Sequence, residues 1–102
     1  MTYQLNMDGE TKALISHLSP SQKKKIKESL RVIAANPHVG KPLQEELVGF
    51  YSYRVGTLRI IYSINKSKRI ISLVTLGPRR TIYDEVERSV SEGKHFGQFF
   101  PT

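Results

Sequence analysis

Apolar and polar positions alternate from the start of the chain. Tyr3, Leu5 and Met7 are separated by Gln4 and Asn6, with Thr2 before them. A period of two is that of a strand with one buried face. From about Asp8 to Leu18 the spacing becomes helical: Asp8 is a suitable N-cap, and Ala13, Leu14 and Leu18 are expected to face inward. Ser19-Pro20-Ser21-Gln22 then opens a second helix. Ser19 serves as N-cap, Pro20 fits the first helical position, and Gln22 completes a capping box. Ile26, Leu30 and Ile33 form the apolar stripe of that helix, and Lys23, Lys24, Lys25, Lys27 and Arg31 occupy its other sides. Asn36-Pro37 ends it, because a residue before proline is driven out of the helical region.

A loop rich in Gly and Pro runs to about Pro42, after which the period of two returns. Tyr51 to Val55, Leu58 to Ile64 and Arg69 to Leu76 read as three consecutive strands, and Gly77-Pro78 is expected to break the last one. Tyr83 to about Glu92 reads as a short closing helix with Val86 and Val90 on one side and Gly93 as its stop. The remainder, 93–102, carries Phe96, Phe99 and Phe100 and is expected to pack on the domain or on a partner. The expected architecture is α+β, one domain over 1–102. It has an N-terminal strand, two helices, a three-stranded antiparallel meander and a short C-terminal helix.

A chain of 102 residues can bury one core, with no room for a separate cofactor-binding domain. No apolar run is long enough to span a membrane or form the core of a signal peptide. Cysteine is absent, which excludes disulfides and thiolate metal sites and suits the cytoplasm. The balance of 16 Lys and Arg against 9 Asp and Glu leaves a net charge of +7. That charge either attracts a polyanion or an acidic protein, or merely keeps the surface soluble.

Chemistry concentrates in Tyr51-Ser-Tyr-Arg-Val-Gly-Thr-Leu-Arg-Ile-Ile-Tyr62. Gly56-Thr57, with glycine first, suits a type II′ hairpin turn. Val55 then pairs with Leu58, and Arg54 lies opposite Arg59. Tyr51, Tyr53, Val55, Leu58, Ile60, Tyr62 and Ile64 share a core face, while Ser52, Arg54, Arg59, Ile61 and Ser63 share the other. Like charges directly opposite are destabilising, with Cβ atoms about 5 Å apart. Either a shared anion offsets the repulsion, since guanidinium matches phosphate geometry, or the side chains splay into water or pair with Glu45 or Glu46. Downstream, Gly77-Pro-Arg-Arg-Thr-Ile-Tyr83 would bring Arg79 or Arg80 to the same face if the last strand lies beside the Leu58–Ile64 strand. The histidines, His17, His38 and His95, are scattered and read as surface or helix-end residues. Asp84, Glu85 and Glu87 suit a helix N-terminus, so no metal site and no cofactor are expected.

The layout, the Tyr-Arg-Val-Gly-x-x-Arg-Ile-Ile-Tyr hairpin and the Gly-x-Arg-Arg-x-x-Tyr close resemble the RelE/ParE toxin superfamily, from about Tyr3 to Glu92. The resemblance implies a RelE-like mRNA interferase of a type II toxin–antitoxin system, a metal-independent endoribonuclease acting in the ribosomal A site. The ribonuclease positions fall on Arg54, Arg59, Arg79 and Tyr83, with Ser52, Arg80 and Lys41 expected to contact the RNA. In the RelE ribonuclease a second basic residue stands where this chain has Ser52. Implied partners are an acidic antitoxin, mRNA and the ribosome, with no membrane. Two rivals remain: a ParE-like inhibitor of DNA gyrase that cuts nothing, and a degenerate toxin kept as co-repressor with its antitoxin.

Overall fold

The computed structural model describes residues 2–78, apart from the side chains of Glu46 and Pro78. The alternating N-terminal segment forms β1 (Gln4–Met7), with Leu5 and Met7 half-buried and Gln4 and Asn6 exposed. Helix α1 (Gly9–Ser16) follows, capped by Asp8, whose carboxylate accepts from the Thr11 N–H at 2.8 Å. The inward stripe of the helix is Thr11, Ile15 and Leu18, at spacings of four and three. The expectation for Ala13 and Leu14 is therefore corrected: Ala13 is exposed and Leu14 is 43% exposed. A helix of this length has one face to bury, and a buried polar residue, Thr11, occupies its first turn. Thr11 Oγ1 donates to the Val74 carbonyl at 3.4 Å.

Helix α2 (Pro20–Ala35) begins as expected, with the reciprocal Ser19–Gln22 capping box and proline in the first turn. Ile26, Leu30 and Ile33 are buried, and Lys23, Lys24, Lys25, Lys27 and Arg31 are exposed. The segment after it is not a plain loop. It contains a 3-10 turn over Pro37–Val39, a two-residue strand β2 (Lys41–Pro42) and a second 3-10 turn over Glu45–Leu47. Strands β3 (Phe50–Val55), β4 (Leu58–Asn65) and β5 (Ile70–Pro78) complete a five-stranded sheet of order β1-β5-β4-β3-β2. β1 is parallel to β5 and the other pairs are antiparallel.

Strand β5 runs on through Gly77 and Pro78, where the sequence predicts a break. Gly77 pairs with Arg59 and Pro78 with Leu58. Proline is tolerated there because it stands at the strand's end, where a missing N–H interrupts no continuing ladder. A bulge in β5 shifts the alternation: Ile61 pairs with Thr75 but Tyr62 pairs with Leu73, leaving Val74 as the extra residue. Ile71, Leu73 and Leu76 thereby all reach the core, despite a spacing of two and then three. Both helices pack on one face of the sheet, against Leu58, Ile60, Tyr62, Ile71, Leu73 and Leu76. The expected helix over Tyr83–Glu92 and the aromatic tail lie outside the described residues.

Among the described residues no helix is long and apolar enough to cross a membrane, and no group of three or more His, Cys, Asp or Glu is placed to hold a metal ion.

Candidate functional site

The β3–β4 hairpin turns at Gly56-Thr57 with Gly56 at φ +62°, the left-handed value that a type II′ turn requires at its first central position. Val55 pairs with Leu58, and Arg54 stands directly opposite Arg59. Both arginines lie on the face away from the helices, since their strand neighbours Val55, Leu58 and Ile60 belong to the core.

Cross-strand register builds the rest of that face. One row runs Arg54–Arg59–Gly77, and the next runs Lys41–Ser52–Ile61–Thr75. Within these rows Arg54 and Lys41 are exposed, Arg59 is half-buried, and Ser52, Ile61 and Thr75 are buried. Gly77, with no side chain, stands beside Arg59 at the end of β5. The register thus brings Arg54, Arg59, Ser52 and Lys41 together. The structure also carries β5 to within one residue of Arg79, but Arg79, Arg80 and Tyr83 themselves lie outside the described residues.

The arginine pair avoids its own repulsion by splaying. Arg54 Nε donates to the Gly56 carbonyl at 3.2 Å, bending toward the turn. Arg59 Nη1 donates to Ser52 Oγ at 3.2 Å, which draws its guanidinium back over β3 toward the β2 edge. Both acceptors are neutral oxygens, so the positive charge stays uncompensated by these bonds. Of the two carboxylates expected as alternative partners, the side chain of Glu46 lies outside the described residues. Glu45 sits in the 3-10 turn after β2 with φ +58°. Chemically, the face presents two forked cations and a lysine, of which Arg59 lies on the Ser52 hydroxyl; forked cations suit a phosphate.

Sequence reasoning did not single out Tyr62 as more than a core residue. Its hydroxyl donates to the Pro37 carbonyl at 2.7 Å and accepts from the Gly40 N–H at 3.0 Å. Its ring stacks on Tyr51, with centroids 5.6 Å apart, and His38 meets Tyr51 edge-on. Burial pushes the Tyr62 hydroxyl up from 10.0 to about 12. The one signal in the sequence that could have found it is a tyrosine on the core face of a strand, whose hydroxyl needs a partner when buried. His17 is a helix-end residue, as expected, capping α1.

Residues 8–83 match the model of the ParE toxin of type II toxin–antitoxin systems, parDE. The chain therefore belongs to the ParE toxin family, within the RelE/ParE toxins, and is a toxin of the type II class. Among particular relatives, it is 40% identical over 45 residues to Toxin RelG of Mycobacterium tuberculosis, a match covering 44% of this chain and 52% of that toxin. The chain thus spans about half the length of that curated relative. The RelBE2 toxin–antitoxin complex of Mycobacterium tuberculosis superposes with TM-score 0.70 at 26% identity, over 78% of this chain and 100% of that one. A variant of the E. coli toxin RelE in its free state superposes with TM-score 0.73 at 17% identity, over 90% and 98%, and shares the fold.

Proposed function

We propose that this toxin is a metal-independent endoribonuclease that cleaves messenger RNA on the ribosome and is silenced by an acidic antitoxin. The observation that carries this reading is the Arg54–Arg59 pair, whose bonds among the described residues go to neutral oxygens, on one face with Ser52 and Lys41. A ribose 2′-hydroxyl attacks the adjacent phosphorus and expels the 5′-oxygen of the next nucleotide. The products are a 2′,3′-cyclic phosphate and a 5′-hydroxyl. Arg59, with Arg79, stabilises charge developing on the phosphorane, a kind of contribution worth about 3 kcal/mol per donor. Arg54 orients the phosphate, Ser52, Lys41 and Arg80 contact the RNA, and Tyr83 moves a proton or stacks on a base. One structural relative, RelBE2 of Mycobacterium tuberculosis, is a toxin–antitoxin complex, which supports an antitoxin partner here.

The match to the ParE model favours a second reading, an inhibitor that binds DNA gyrase and cuts nothing. Products separate the two. The purified chain is incubated with ribosomes programmed with a defined mRNA, and RNA ends are identified by mass spectrometry. Cyclic phosphate ends, absent with Arg59→Ala and strongly reduced with Arg59→Lys, are the expected result. Intact RNA together with inhibited gyrase supercoiling would establish the second reading instead. Cleavage of free RNA that depends on added magnesium or manganese would overturn the mechanism.

A further inference from the structure

The arginine face includes one cation, Lys41, whose side chain makes no hydrogen bond or ion pair among the described residues. Lys41 belongs to the two-residue strand β2, too short to persist on its own pairing with Ser52 and Tyr51. The Leu43 N–H donates to the Phe50 carbonyl at 2.9 Å just after β2, and a second anchor, before β2, comes from the opposite side of the sheet. Tyr62, on the core face of β4, sends its hydroxyl through to the loop that precedes β2. There it closes two bonds at once, to the Pro37 carbonyl and from the Gly40 N–H, the residue immediately before Lys41. The fit leaves no slack: a Cβ on Gly40 would overlap the Tyr62 hydroxyl and press on its ring. The ring is itself fixed by stacking on Tyr51, the residue of β3 that pairs with Pro42.

The consequence falls on the far side of the sheet. With Gly40 pinned, Lys41 takes up register with Ser52, over which the Arg59 guanidinium already lies. Arg54 is two residues further along β3, about 7 Å away. Resting on the reading of this face as an RNA site, we propose that Tyr62 is a positioning residue whose hydroxyl clamp on Gly40 and Pro37 holds Lys41 beside Arg54 and Arg59 as a third phosphate-binding cation. Lysine suits this place, since a compact ammonium on a flexible stem meets a backbone phosphate as a point charge. The two arginines provide the forked contacts.

The test measures binding apart from cleavage. The full chain is titrated with a short single-stranded RNA bearing 2′-O-methyl groups, which cannot be cut, at several salt concentrations. Lys41→Gln is expected to weaken binding about tenfold and to flatten the salt slope by about 0.7, the share of one phosphate contact on a single strand. The same change made in a Tyr62→Phe background is expected to cost less than about twofold, because the lysine is no longer held in register. A merely structural tyrosine would lower stability and leave the cost of Lys41→Gln unchanged in both backgrounds, and that result would overturn the proposal. A readout on the unaltered chain stands beside it. Acetylation footprinting should show Lys41 protected by the oligonucleotide while Lys12 on α1 is not; equal reactivity of Lys41 with and without RNA also overturns it. Failure of the ribonuclease reading looks different: the oligonucleotide binds with these couplings intact, and mRNA on programmed ribosomes is not cut. Absence of binding at low salt sinks both.

Discussion

At the scale of single residues, two buried polar sites behave in opposite ways. Ser63 and Ser72 face each other across β4 and β5, and both hydroxyls are buried with no hydrogen-bond partner among the described residues. A buried hydroxyl without a partner costs about 1–3 kcal/mol of desolvation. Ser63→Ala is therefore expected to be neutral or to stabilise the fold by up to about 1 kcal/mol, read from denaturant unfolding. A loss of 2 kcal/mol or more would show that the hydroxyl is satisfied after all. Tyr62 is the satisfied case, and its burial raises its pKa from 10.0 to about 12. Below pH 10 the folded and unfolded chains both keep the phenolic proton. Between about 10 and 12 the unfolded chain releases it and the folded chain does not, so Tyr62's contribution to stability is full below this window and falls as pH rises through it. The stability gap between the wild type and Tyr62→Phe should narrow over that alkaline range in parallel unfolding titrations. A constant gap would mean that the hydroxyl ionises alike in both states.

The β3–β4 hairpin is the element on which the site depends. Its turn needs a positive φ at Gly56, while a Cβ there would meet nothing within 4 Å. Substitution costs are then purely backbone costs. Gly56→Ala should destabilise by about 1–2 kcal/mol and Gly56→Val by more, since a positive φ is strained for any residue with a Cβ and most for a β-branched one. Equal stabilities across this series would contradict the assigned turn. The Gly56 carbonyl also holds Arg54, so distortion of the turn should weaken RNA binding beyond its effect on folding. The hairpin was legible in the sequence because its signals agree: glycine at the turn, a period of two, and aromatic and β-branched residues on one face. Strand β2 was not, because two residues carry no periodicity. It is held by contacts with residues further along the chain, among them the Tyr62 hydroxyl on Gly40 and the Phe50 carbonyl on Leu43.

For the whole molecule, charge is the property that matters. A net charge of +7 on a small domain steers acidic partners toward it over distances near the Debye length, about 10 Å at 0.1 M salt. Co-expression with an acidic antitoxin should give a stable heteromer. Its association rate in stopped-flow should fall steeply as salt rises, while dissociation changes less. A salt-independent association rate would mean that charge plays no part in capture. The helix layer adds its own cations, Lys23, Lys24, Lys27 and Arg31, all exposed on α2 and on the side of the sheet away from the arginine pair.

Local signals alone determined much of this protein: the Asp8 and Ser19 caps, the stripe of α2, the three long strands, and the Arg54–Arg59 pairing. Each is set by residues close together in the chain, where capping, periodicity and turn chemistry act. Tertiary structure decided what those signals could not reach. It turned Thr11 and Ile15 inward rather than Ala13 and Leu14, because α1 settles against the Val74 bulge. It carried β5 on through Gly77-Pro78, because β4 offered a partner. It splayed the two arginines onto neutral oxygens, and it placed Lys41 beside them through a tyrosine on the other face. Apart from the arginine bonds, which stay within the hairpin, these are contacts between residues far apart in sequence, and only packing brings their partners within reach.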